Sequence, residues 1–187
     1  MKIKESKIGA CINIFLKVRL FFHYYQNFSS SINNEEQLYL DTSETVSHTR
    51  KAFLWLTILE LYKIVAKSTL QKTNLHETIK EFKTNCKTPE LLSHNNLNLL
   101  FEKHTKIIEL IKDIRNQIIA HSDQIESMRF LFSDEDIRST EKLIRDIEKT
   151  LIVINNNSLN TQGIDKIAPS LKKFNLIKHA TKGKKHS

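Results

Sequence analysis

Residues 113–123 read Asp113-Ile114-Arg115-Asn116-Gln117-Ile118-Ile119-Ala120-His121-Ser122-Asp123, which sets a guanidinium, a carboxamide and an imidazole close together in the chain. These groups suit the cleavage of RNA. An imidazole with an ordinary pKa of about 6.5 takes a 2′-hydroxyl proton at neutral pH. A guanidinium offers a planar fork to nonbridging phosphate oxygens and stays charged as negative charge grows in the transition state. The Asn116 carboxamide either hydrogen-bonds a phosphate or orients the histidine. The substrate supplies its own nucleophile in this chemistry, so no metal or other cofactor is required and DNA is inert. A plainer reading uses the same residues: Arg115 and His121 complement the negative C-terminal end of a helix, and Asp123 starts a turn. Residue types alone leave both readings open.

The element that must carry these groups is a helix. Leu97, Leu100, His104, Ile107, Ile111, Ile114 and Ile118 form one stripe, which predicts a helix over 96–121. At about 100° per residue, His121 extends the seam of Ile114, whereas Arg115 lies roughly 120° round from His121. One helix therefore does not bring both side chains onto one atom. They meet over a shared substrate at the helix end, in a groove, or across a partner subunit, so the catalytic reading brings dimerisation with it.

Four further helices are expected around this one. Ile8, Cys11, Phe15, Val18, Phe22 and Tyr25 make an apolar seam at helical spacing, ended by the polar stretch 27–34. A second helix starts at Asp41-x-x-Glu44, a capping-box spacing, and runs to about Ser68. Its apolar residues, Trp55 and Tyr62 among them, cover most of its circumference, which predicts the central helix of the fold. A shorter helix starts at Asn74-x-x-Glu77 and carries Leu75, Ile79 and Phe82, and 87–96 reads as a loop. The last starts at Ser133-x-x-Asp136, has its seam at Ile137, Thr140, Ile144, Ile147, Leu151 and Ile154, and stops at Asn155-Asn156-Asn157. Strand alternation is almost wanting. The expected fold is all-α, an antiparallel bundle of about five main helices over 1–154, followed by a C-terminal tail over 155–187 with room for a short helix at 170–179.

Composition narrows the function. With 3 Gly and 2 Pro in 187 residues, the chain lacks the turn punctuation of most sandwiches, barrels and βαβ folds. It has neither G-x-x-x-x-G-K-[ST] nor G-x-G-x-x-G, so the familiar nucleotide-binding loops are excluded. Cys11 and Cys86 form no C-x-x-C pair, in keeping with a reducing cytosol. The apolar stretch 8–25 is broken by Asn13, Lys17, Arg19 and His23 and makes a poor membrane span, and no signal-peptide cleavage site follows the basic N-terminus. A cytoplasmic protein without a membrane partner is expected.

The net charge of +8 is unevenly placed: 155–187 holds seven lysines against Asp165 alone. The body is close to neutral and the tail is basic. Lys172, Lys173, Lys178, Lys182, Lys184 and Lys185 offer phosphate contacts to an RNA without reading its sequence. A solvated tail explains the same charge run, and Phe174, Leu176 and Ile177 also allow it to dock on the bundle or a partner. Other candidates weigh less. Asp134-Glu135-Asp136 reads as helix-capping acids rather than a cation site. The histidines show no zinc-ligand spacing, His104 reads as a hydrogen-bonded core or interface residue, and Trp55 as core.

Arg115, the polar Asn116 after it, and His121 late in a helix of an all-α chain resemble the signature of the HEPN superfamily. The run Ile114-Arg115-Asn116 … Ala120-His121-Ser122-Asp123 is most similar to the abortive-infection AbiU-type HEPN-like proteins, which also carry a Trp-containing apolar helix upstream, as 53–62 is here. The resemblance covers 8–154. It implies a homodimer whose two motifs line one cleft, acting as a metal-independent endoribonuclease in phage defence or a toxin–antitoxin pair, with an antitoxin protein encoded nearby. Arg115, Asn116 and His121 are the matching positions. One departure stands out: toxins silenced by a nucleotidyltransferase antitoxin often carry Tyr two residues after the His, and here that position is Asp123. Nucleotidylation of a tyrosine there is excluded. Some members of the superfamily are inactive binding modules, so a non-catalytic RNA- or partner-binding module and a structural helical interaction protein stay open beside the enzyme.

Overall fold

The structure, a computed structural model, describes residues 6–29, 34–67, 73–85, 94–120 and 132–157. It is an all-α helical bundle. Seven helices are present among the described residues: α1 (Lys7–Asn27), α2 (Asn34–Thr42), α3 (Glu44–Val65), α4 (Leu75–Asn85), α5 (His94–Lys103), α6 (Thr105–Ala120) and α7 (Asp134–Asn157).

The caps and seams follow the sequence closely in three of them. On α1 the Ser6 hydroxyl accepts from the Gly9 N–H at 3.0 Å, and all six residues of the expected seam are buried. On α4 the Asn74 carboxamide oxygen accepts from the Glu77 N–H at 2.9 Å, and Leu75, Ile79 and Phe82 are fully enclosed. On α7 Ser133 and Asp136 satisfy each other: the Ser133 N–H donates to the Asp136 carboxylate at 2.9 Å and the Asp136 N–H to the Ser133 hydroxyl at 3.2 Å. The acid in this pair is held below the usual carboxylate range, first by its hydrogen bond from the Ser133 side chain. Helix-capping is thus the observed use of that acidic triplet's Asp136. The helix ends at Asn157, within the asparagine triplet expected to stop it, and the Asn155 side chain is buried.

Among the described residues there are seven helices rather than about five, for two local reasons. Between the polar stretch 27–34 and the expected helix start at Asp41, where the sequence shows no element, α2 forms. It buries only Leu40 and leaves Leu38 65% exposed, so it has no apolar period to read. With α2 in place, Asp41 lies inside it, accepting from the Gln37 carboxamide at 2.9 Å, and the cap of the next helix is Ser43, whose hydroxyl accepts from the Val46 N–H at 3.4 Å. The single helix expected over 96–121 is two, α5 and α6, meeting at His104. The His104 N–H is shared between the carbonyls of Leu100 at 3.2 Å and Phe101 at 3.3 Å, a tightened turn. Thr105 adds to it by donating its hydroxyl to the Phe101 and Glu102 carbonyls.

The sequence expectation of a central helix is met by α3, which packs against α1, α2, α4 and α6, although Leu56 on its outer side is 39% exposed. Of the remaining helices, α5 packs on α6, and α7 packs on α1 and α6. Ion pairs tie distant helices at the rim of the core, Lys7 to Glu77 and Arg19 to Glu148, both at 2.6 Å. No helix among the described residues is long and apolar enough to cross a membrane.

Candidate functional site

The candidate site is built from α6 outward. Ile107, Ile111 and Ile114 are buried in the core, which fixes the rotation of α6 and turns the next residue, Arg115, to the edge of the α3 contact. There the Arg115 guanidinium carbon lies 4.9 Å from the centroid of the Tyr62 ring of α3. A cation over an aromatic face at this range is held by the ring quadrupole, worth about 0.5–1 kcal/mol where exposed and more where water is excluded. One Nη1–H of the same guanidinium donates to the Asn116 carboxamide oxygen at 3.0 Å. Arg115 is half-buried, and among the described residues no carboxylate lies within ion-pair distance of it. Among the described residues its charge is oriented by a ring and an amide and is paired with no acid, which leaves the planar fork free to meet an anion.

Of the residues singled out by the sequence, the structure brings Arg115 and Asn116 together. His121 follows directly on the end of α6 at Ala120 and lies outside the described residues, as do Asp123 and the lysines Lys172, Lys173, Lys178, Lys182, Lys184 and Lys185. Sequence reasoning missed the role of Tyr62, which it counted as core. Tyr62 sits within the dense apolar run of α3 with nothing local to set it apart, and its pairing with a residue more than fifty positions away comes from tertiary packing.

A second histidine is organised quite differently. His104 is 6% exposed and its Nε2 lies 3.0 Å from the Asp146 carboxylate of α7, which also accepts from Lys103 at 2.7 Å. The hydrogen bond from Lys103, then that of His104, hold the Asp146 carboxyl down at about 2. This is a hydrogen-bonded core histidine, the role its place in the apolar stripe predicts. Cys11 is buried and its thiol is pushed up to about 11 by burial, so it offers no thiolate for catalysis. Among the described residues no group of three or more His, Cys, Asp or Glu side chains stands close enough to hold a metal ion.

Compared with family models, with curated proteins and with solved structures, the chain returns no match.

Proposed function

We propose that this chain is a metal-independent endoribonuclease of the HEPN-like kind, acting in the cytoplasm as a homodimer within a phage-defence or toxin–antitoxin system. The observation that carries this reading is the state of Arg115: stacked on Tyr62, held by Asn116, paired with no carboxylate among the described residues, and six positions before His121 in the sequence. Among the described residues this arginine is held by neutral groups, which supports a reading in which its charge meets a phosphate.

In the proposed reaction the His121 imidazole removes the proton of a ribose 2′-hydroxyl. The 2′-oxygen forms a bond to phosphorus as the bond from phosphorus to the 5′-oxygen breaks, and that oxygen leaves with a proton. The products are a 2′,3′-cyclic phosphate and a free 5′-hydroxyl. Arg115 stabilises the charge on the nonbridging oxygens, and Asn116 positions the guanidinium and the phosphate. The separation of roughly 120° that helical spacing gives Arg115 and His121 supports a site completed across a dimer cleft. The basic tail holds the RNA, and an antitoxin encoded nearby keeps the enzyme silent.

The chemistry has a specific test. An oligoribonucleotide that the protein cuts is resynthesised with one 2′-deoxy sugar on the 5′ side of the cut. The reading expects cyclic-phosphate ends from the first and no cut at the modified position. Products with 5′-phosphates, or cleavage that ignores the deoxy sugar, would sink it. RNA bound tightly but never cut would favour the binding module.

A further inference from the structure

Next to Arg115 lies a cavity of about 400 Å³ between the C-terminal end of α3 and the N-terminal half of α6. Tyr62, the ring that carries Arg115, is also one of its walls. A second ring, Phe101, lines it too. Phe101 is 7% exposed, is stacked parallel to His76 at 4.7 Å, and has the Lys67 ammonium 5.6 Å from its centroid. Ile108 adds an apolar side chain, while the exposed side chains of Glu109 and Lys112 stand at the rim. The cavity is of the size that takes one ring system, with aromatic and aliphatic walls and a few polar groups at its mouth.

The placement along α6 is specific. Ile108, Lys112 and Arg115 follow one another at four- and three-residue spacing on one face, so Lys112 stands between the cavity and the guanidinium. The distance from Ile108 to Arg115 along the helix axis is about 10 Å. Aromatic and aliphatic walls, a run of cations and a carboxylate match the parts of a nucleotide: a base to lie against the walls, a phosphate for Arg115 with Lys112 beside it, and an exocyclic amine for Glu109.

We infer that this cavity is a nucleobase pocket, which receives the base next to the phosphate held by Arg115 and favours bases that bear an exocyclic amine through Glu109. The inference takes its substrate from the endoribonuclease reading. Adenine, cytosine and guanine present an amine to the carboxylate, whereas uracil presents a single N–H between two carbonyl oxygens that the carboxylate repels.

The full chain is titrated with cytidine, adenosine and uridine 5′-monophosphate, followed by ligand-observed NMR, and its cuts in a mixed-sequence RNA are mapped. Saturable binding of the cytidine and adenosine nucleotides is expected, with the uridine nucleotide about tenfold weaker. Glu109→Ala removes that difference and Lys112→Glu weakens all three by about tenfold or more, while Lys51→Glu, on the exposed N-terminal half of α3, changes nothing. Glu109 and Lys112 are exposed, and circular dichroism checks that both variants keep their helices. Absence of saturable binding, or binding indifferent to Glu109 and Lys112, overturns the pocket. If RNA is cut in an Arg115-dependent way with no base preference that Glu109→Ala alters, the pocket fails and the endoribonuclease stands. If the mononucleotides bind as described but RNA is never cut, the endoribonuclease fails and a nucleotide site remains.

Discussion

At the scale of single residues, Arg115 is defined by what surrounds it. A lysine in its place keeps the charge but has neither the planar fork for a phosphate nor the flat face that lies over Tyr62. Arg115→Lys is therefore expected to cut RNA at least about tenfold more slowly than the wild type, a loss of about 1.4 kcal/mol of transition-state stabilisation. Tyr62→Phe keeps the ring and should stay within a few-fold of the wild type, and Tyr62→Ala should fall with Arg115→Lys; single-turnover rates decide. Asp146 makes a separate prediction about stability. Its folded pKa, about 2, lies below the ordinary carboxylate value, so its contribution is fully present above about pH 4 and is lost as pH falls through 2. Urea midpoints of wild type and Asp146→Asn should differ at pH 5 and converge toward pH 2. A gap that is constant with pH would show that the carboxylate's charge does not matter there.

At the scale of elements, the caps decide where helices begin. Ser43 rather than Asp41 starts α3, since Asp41 is already inside α2 and bonded to Gln37. Ser43→Ala should cost about 1 kcal/mol, a drop in melting temperature of about 2–4 °C at this chain length, and Asp41→Ala less than half of that. The reverse order would restore the sequence-based start. This pair also shows how far the sequence could be read. Seams such as Ile8 to Tyr25, and caps such as Asn74 and Ser133, are local patterns, and local patterns were legible. The short helix α2 buries one leucine and carries no period. The break at His104 follows from Thr105 drawing on two carbonyls and from a tie to Asp146, forty-two residues on; such causes do not show in a spacing rule. The same holds for the site: residue types flagged Arg115 and Asn116, and only packing of α6 on α3 supplied Tyr62 and the cavity beyond it.

At the scale of the whole molecule, the bundle presents Arg115 on a helix edge, and the proposed function completes the site with a second copy. A symmetric dimer in which the arginine of one protomer serves the histidine of the other allows two dead variants to rescue each other. Mixing Arg115→Ala with His121→Ala under conditions of subunit exchange should recover about a quarter of the wild-type activity, because half of the dimers are mixed and each carries one intact site of two. Exchange without recovery would place both groups of a site in one chain. The central claim, that Arg115 and His121 together cut RNA without a metal, has its most direct test in end-labelled RNA incubated with wild type and His121→Ala in excess EDTA, both first shown to be folded helical dimers. Cleavage by the wild type that vanishes in the variant is the predicted result. Equal cleavage by both would contradict it, and so would activity that disappears from the wild type when the chelator is added.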